Sequence, residues 1–205
     1  DDMPLERLPS VVFDCETTGL DVTRDRMISI GAVRLQGSRI FHGETLDRLV
    51  DPGVPIPARS RAVHGITDNM VAGQPKFEMI ESQFRHFTEG CVLIGHNVPF
   101  DIAILRREYE LAGLKAPAFA SLDLLQLVSV LDPQLTDASL DKLAAYWGVE
   151  IRGRHTALGD SLVTAELYRL LLPRLASEGV ETFGQVREFC SRAKDVIRRQ
   201  KEMGW

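Results

Sequence analysis

Three apolar stretches of this chain run into acidic side chains, and that restricts its folding more than any other feature. Residues 10–15 (SVVFDC) form a β-branched, aromatic run that reads as a buried strand, yet Asp14 lies inside it and Glu16 follows. A second apolar run, 91–95 (CVLIG), leads into HNVPFD and so to Asp101; HTALGD at 155–160 places His155 and Asp160 at the start of a helix. Carboxylates at the ends of buried segments are costly unless something positive sits between them. In a strand, side chains alternate, so Asp14 and Glu16 share one face and Phe13 and Cys15 the other. Two carboxylates on one desolvated face repel strongly unless a cation bridges them. Four such carboxylates with one histidine suggest a site that binds divalent metal ions, although each block alone also reads as strand-end or helix-cap chemistry.

The remaining patterning places these blocks on elements. Residues 26–35 and 39–50 read as strands joined through Gln36-Gly37-Ser38, a hairpin signal, which gives a three-stranded meander with the first run. After the break at Pro52 to Pro57, residues 59–65 and 67–70 suggest short helical turns. Residues 76–88 predict a helix with Phe77, Ile80, Phe84 and Phe87 on one face, stopped by Gly90. A helix is expected over 100–113, with Pro99 suited to its entry and Asp101 in its first turn. Asn97 is placed to bond locally as a cap or to hold a substrate group. Residues 118–123 read as the last strand, leading to a helix ending near Leu131, and Ser139 is expected to cap one running to Tyr146 with Gly148 as its stop. The helix over 158–176 contains Pro173, which should kink or end it. Its small residues Ala157 and Gly159 allow close approach to another element, while Arg152, Gly153 and Arg154 suggest a mobile basic loop. A final amphipathic helix is expected over 182–202. Strands first, then strand–helix alternation, gives an α/β fold in one domain: a mixed sheet with helices on both faces.

Composition narrows the chemistry. At 205 residues and 44% hydrophobic, the chain can bury one sizeable core. No apolar run approaches the roughly 18 residues of a membrane span, and no signal-peptide pattern opens it. It starts at Asp1 rather than Met, as a processed, trimmed or excised chain would. Cys15, Cys91 and Cys190 are odd in number and form no CxxC pair, and Cys15 and Cys91 fall in apolar segments, so those two read as small buried hydrophobes in a reducing, cytoplasmic setting. The net charge of −5 argues against an extended grip on duplex and suits a short grip on a strand end. His155 is a candidate base, because an imidazole accepts a proton near neutral pH.

Together the blocks DCE, HNVPFD and HTALGD resemble, in order and spacing, the DnaQ-like DEDDh exonucleases, a group of the ribonuclease H-like fold. The string Val63-His64-Gly65-Ile66-Thr67 matches the VHGIT of its proofreading ε-type members letter for letter. The resemblance spans about residues 10–175. It implies a five-stranded mixed sheet and 3′–5′ hydrolysis of phosphodiesters to nucleoside 5′-monophosphates. It implies two divalent ions, Mg²⁺ or Mn²⁺, held by Asp14, Glu16, Asp101 and Asp160, with His155 activating the attacking water. Thr17, Thr18, Leu20, His64, Asn97 and Phe100 would meet the terminal nucleotide, Leu20 as a wedge between bases and His64 in its pocket. The implied partner is the 3′ end of a nucleic acid, single-stranded DNA in the first reading, with DNA favoured over RNA by VHGIT. RNA trimming uses the same residues, and a non-catalytic interaction module and a phosphatase are further readings. The nuclease domain is expected over 1–178, with a helical extension over 179–205 that packs on it or binds a protein partner. In that extension Phe183, Val186, Phe189 and Ile197 make an apolar stripe, and Arg192, Lys194, Arg198, Arg199 and Lys201 a basic one.

Overall fold

The protein is seen here in a computed structural model that describes residues 2–191. Five strands, β1 (Pro9–Thr17), β2 (Met27–Gln36), β3 (Arg39–Leu49), β4 (Val92–Gly95) and β5 (Ser121–Asp123), form one sheet in the order β3-β2-β1-β4-β5. β1, β2 and β3 are the antiparallel meander, while β4 and β5 run parallel to β1. Mixed pairing has a simple origin: a short hairpin reverses the chain, whereas helical crossovers return it in the same direction. The last strand is only three residues long, shorter than its sequence suggests, because 118–120 lack strand geometry.

Alternation along β1 divides the interior. Val11, Phe13 and Cys15 enter a core shared with α3 (Phe77–Thr88) and α4 (Val98–Leu111). Val12 enters the opposite core, with α5 (Leu124–Leu131), α6 (Leu140–Trp147) and α7 (Ala157–Ser177). β2 is buried over most of its length because both its faces are covered, whereas β3 is a charged, largely exposed edge carrying Arg39, Glu44, Asp47 and Arg48. Two short helices, α1 (Ala58–His64) and α2 (Asp68–Val71), join the meander to α3.

Several local expectations change. Pro173 neither ends α7 nor shortens it: the helix continues to Ser177, because buried Leu171 and Leu175 anchor the final turns in the core. Ser139 stands at the N-cap position of α6, but its side chain makes no capping hydrogen bond. Cys91 is half-buried rather than buried. Residues 183–191 are helical, and Val180, Phe183, Val186 and Cys190 complete the α7-side core. The basic positions Arg192, Lys194, Arg198, Arg199 and Lys201, and Ile197, lie outside the described residues.

The start of α7 is pressed onto the sheet at Gly31 of β2. A β-carbon there would overlap the backbone of Ala157 and Leu158, and Ser161 Oγ donates to the Gly31 carbonyl at 3.0 Å. The obstacle is helix backbone, which cannot step aside as a flexible side chain can. Gly31→Ala is therefore expected to cost about 3 kcal/mol or more, lowering the thermal midpoint by roughly 6–12 °C for a domain of this size. Calorimetry giving a shift below about 2 °C would mean that α7 is not seated this closely.

A candidate metal-dependent active site

Parallel strands β1, β4 and β5 all finish at one edge of the sheet, the usual place for a site in α/β folds. β1 pairs with β4 only through Val12, so its last turn of residues stands clear of that neighbour. Asp101, in the first turn of α4, fills the gap: its Oδ1 accepts the N–H of Cys15 at 3.0 Å. The same alternation that buries Val12 turns Asp14 and Glu16 toward α7, whose first turn supplies Asp160. Asp14, Glu16 and Asp160 each offer one oxygen within 4.8 Å of the others. Asp101 stands beside this trio rather than within it, engaged with the strand backbone.

The four carboxyls make one another hard to ionise. Burial raises Asp14 well above the ordinary carboxylate range, and Asp101, Glu16 and Asp160 raise it further. Glu16 is pushed up to about 7 by burial and then by Asp160. Asp101, 3% exposed, is pushed up to about 8 by burial, against the N–H of Cys15 that favours its charged form. Asp160 is raised by burial and relieved by Arg154. A dense set of hard oxygen donors with surplus negative charge suits a divalent cation of the Mg²⁺ or Mn²⁺ type. Cys15 stands apart from this chemistry, since burial and Asp101 push its thiol up and away from thiolate.

Arg154 was missed from sequence. Instead of a mobile loop residue, it is clamped between Asp141 of α6, with Nε to Oδ1 at 2.9 Å, and Asp160 Oδ2. It is the cation that offsets Asp14, Glu16 and Asp160 alike. The signal available was an arginine directly before His155, read only as local basicity.

His155 is half-buried just ahead of α7, its backbone N–H donating to Asp160 Oδ1 at 3.3 Å. Thr156 caps the helix, accepting from the N–H of Gly159 at 3.1 Å. His155 (φ 61°) and Asn97 (φ 64°) are the two non-glycine residues at positive φ among the described residues. Such conformations cost about 1–3 kcal/mol and gather at functional sites. Asn97 is exposed and makes no side-chain cap; its N–H instead donates to Asp123 Oδ1 at 2.9 Å. Asp123, likewise unforeseen, also caps α5 and adds negative charge beside Asp101. Phe100 packs half-buried on the α3–α4 core.

Next to the carboxyls lies a cavity of about 500 Å³, lined by Glu16, Thr17, Leu20, Ser60, Val63 and His64 among others. Leu20 is 85% exposed and Val63 56%, so a rigid apolar rim overlooks the charged cluster. Rigidity comes from the loop itself. Thr17 Oγ1 donates to the Gly19 carbonyl at 2.6 Å, Thr18 Oγ1 to Asp25 at 2.8 Å, and Ser60 Oγ to the Thr18 carbonyl at 2.6 Å. Thr18 is buried and does not line this cavity; it braces the loop from behind. His64 Nδ1 accepts from the N–H of Ile66 at 3.0 Å, and burial lowers its pKa, with His155 adding to the effect. The neutral ring thus carries its proton on Nε2, a buried atom without a partner. The Thr17 carbonyl pulls that pKa back upward without closing a hydrogen bond.

A mixed five-stranded sheet with helices on both faces and an acidic cluster at its strand ends define a nuclease of the ribonuclease H-like fold. The chain belongs to the RNase T exonuclease family, which it matches over residues 11–168. It is 47% identical over 186 residues to a DNA polymerase III subunit epsilon-like protein of Rhodobacter capsulatus, covering 89% of this chain and 26% of that protein. A PolC-type DNA polymerase III of Caldanaerobacter subterraneus is 33% identical over 176 residues, 86% of this chain and 12% of the relative. The chain thus spans between an eighth and about a quarter of these relatives' length. Among solved structures, exonuclease X in complex with 5′ overhanging duplex DNA is similar at a TM-score of 0.67 and 25% identity, over 88% of this chain and 98% of that one. Exonuclease I of E. coli with a dT13 oligonucleotide shares the fold at a TM-score of 0.72 and 18% identity, over 83% and 42%. No helix among the described residues is long and apolar enough to cross a membrane.

Proposed function

We propose that this chain is a DEDDh-type 3′–5′ exonuclease that shortens single-stranded DNA from its 3′ end, releasing nucleoside 5′-monophosphates. The observation that carries this reading is the trio of Asp14, Glu16 and Asp160, with Asp101 and His155 beside it, opening onto a cavity with an apolar rim. Asp14, Glu16, Asp101 and Asp160 would hold two divalent ions. When bound, such ions polarise the phosphoryl group and neutralise charge developing on the leaving oxygen. His155 takes a proton from the attacking water on an imidazole nitrogen. The water oxygen bonds to phosphorus, the bond from phosphorus to the 3′ oxygen breaks, and the shortened strand keeps that oxygen. The cavity receives the terminal nucleotide, where His64 Nε2–H can meet an acceptor. Leu20 stacks against the next base, while Thr17 and Thr18 shape the loop beneath. Asn97 and Phe100 support the strand from the Asp101 side. DNA is preferred to RNA on the strength of VHGIT and the polymerase III relatives, whose longer chains also suggest a protein partner or fused domain.

A time course with 3′- and 5′-labelled DNA and RNA oligonucleotides tests the reading. The 5′-labelled DNA should give a ladder shrinking one nucleotide at a time in Mn²⁺, with no ladder in EDTA. Internal cuts, a ladder from the 5′ end, or undiminished cleavage in EDTA would overturn it; faster loss of RNA would transfer the substrate to RNA.

A further inference from the structure

A second cavity lies on the far side of the same loop. The turn that offers Leu20 and Asp21 to the first cavity offers Val22 and Thr23 to this one, about 550 Å³ in volume, with Pro99, Ile102, Arg106 and Arg107 of α4 opposite. Pro99 and Ile102 belong to the first turns of α4, as Asp101 does, but Asp101 faces β1 and does not line this cavity; what joins the two cavities is the loop they share. Arg106 lies five residues beyond Asp101, about 7.5 Å along the helix axis, which is about two nucleotides of a strand that rises about 3.4 Å per stacked base.

Among the described residues, at least nine of the sixteen arginines form ion pairs. Arg26 forks onto Glu108, Arg61 meets Asp68, Arg152 meets Glu150, and Arg154 is held by two aspartates. Arg106 and Arg107 form no ion pair among the described residues. The Nε–H of Arg107 is moreover shut off from solvent without an acceptor, a group whose desolvation goes uncompensated until an oxygen arrives. Two acids stand nearby. Asp21 is occupied by the N–H and hydroxyl of Thr23 at 2.9 and 2.6 Å, and Glu110 sits at the rim outside ion-pairing distance. Guanidinium groups recognise phosphate oxygens through paired N–H donors, and a couple without ion pairs, across one loop from the first cavity, fits that ligand.

We propose that the cavity between the Val22–Thr23 turn and α4 is a second strand subsite, in which Arg106 and Arg107 hold a backbone phosphate upstream of the terminal nucleotide. The assignment rests on the nuclease reading above. It explains how a chain of net charge −5 can grip a strand end: the grip is confined to one short positive cleft.

The test compares two substrates that differ in whether they reach the cleft. The p-nitrophenyl ester of thymidine 5′-monophosphate has a scissile phosphate and a terminal nucleoside but no upstream phosphate, whereas oligothymidylates have several. Arg106→Ala, which alters an exposed side chain, and Arg107→Gln, which keeps most of the side-chain volume, should each raise the KM for oligothymidylate about 5- to 10-fold, the size of one lost charge-assisted contact. Losing the phosphate contact should reduce the magnitude of the slope of log affinity against log salt by up to about 0.7. Turnover of the ester should be unchanged. Equal losses on both substrates, or no change on either, would overturn the subsite. Anisotropy with labelled oligothymidylate and the Asp14→Asn protein measures the same affinities without turnover. Should the wild-type chain prove to have no nuclease activity, weaker binding by the arginine variants in that background would still support the subsite, and unchanged binding would end it.

Discussion

Replacing Asp14 by asparagine is expected to lower nuclease activity on the order of 10⁴-fold while making the metal-free protein more heat-stable at pH 8. Both effects have one cause. Asp14 stands among Asp101, Glu16 and Asp160 in a buried site, and each neighbour raises the cost of its charge. The direction with pH follows from the raised pKa values. Glu16 rises from 4.5 to about 7 and Asp101 from 3.8 to about 8 on folding. Between pH 4 and pH 8 the unfolded chain therefore loses its protons first, and metal-free stability falls as pH rises through that window. Below pH 4 both states are protonated and the penalty is absent. Neutralising Asp14 removes part of the repulsion at pH 8 and should raise the metal-free midpoint. Manganese should reverse the ranking, because a ligand that binds only the folded state stabilises it in proportion to occupancy, and the wild type binds more tightly. Differential scanning fluorimetry across pH, with and without Mn²⁺, reads all of this. A variant that degrades a labelled strand at the wild-type rate would sink the metal assignment.

His155→Asn should cost about 10²- to 10⁴-fold in turnover, the usual worth of a positioned general base, with little loss of stability. Asparagine is chosen because the backbone at 155 is left-handed, at φ 61°, and asparagine tolerates that region better than most residues. Alanine should lose as much activity and, in addition, some stability. Mn²⁺ binding by calorimetry should survive in both, since the carboxyl oxygens that gather are those of Asp14, Glu16 and Asp160. If Mn²⁺ binding disappears together with turnover, the imidazole is acting as a ligand and the base must be sought elsewhere.

Period-two patterning and turn residues made most of the sheet legible in the sequence. Val11, Phe13 and Cys15 on one side of β1, and Val12 with Asp14 and Glu16 on the other, follow from alternation alone. Less legible were effects decided by distant packing. Pro173 carries a local rule for ending a helix, and Leu171 and Leu175 overrule it through core contacts that no window around the proline contains. Arg154 shows the same limit within the site. Its neighbours in sequence suggest a loose basic loop, whereas its position is set by Asp141, thirteen residues earlier on another helix. Thr18 illustrates the reverse: a motif position adjacent to the chemistry whose hydroxyl is committed to Asp25. Single-residue chemistry was readable; which partner each charged side chain finds depended on the finished fold.

The seating of α7 on Gly31 also bears on when the nuclease becomes dangerous to its own cell. Asp14, Glu16 and Asp101 leave the ribosome well before Asp160, at about 5–20 residues per second. A nascent chain lacking α7 has neither the third member of the acidic trio nor the histidine ahead of it. On the proposed site assignment, the carboxyl trio is complete only once nearly the whole domain has been synthesised, so a chain truncated before α7 is expected to have no nuclease activity.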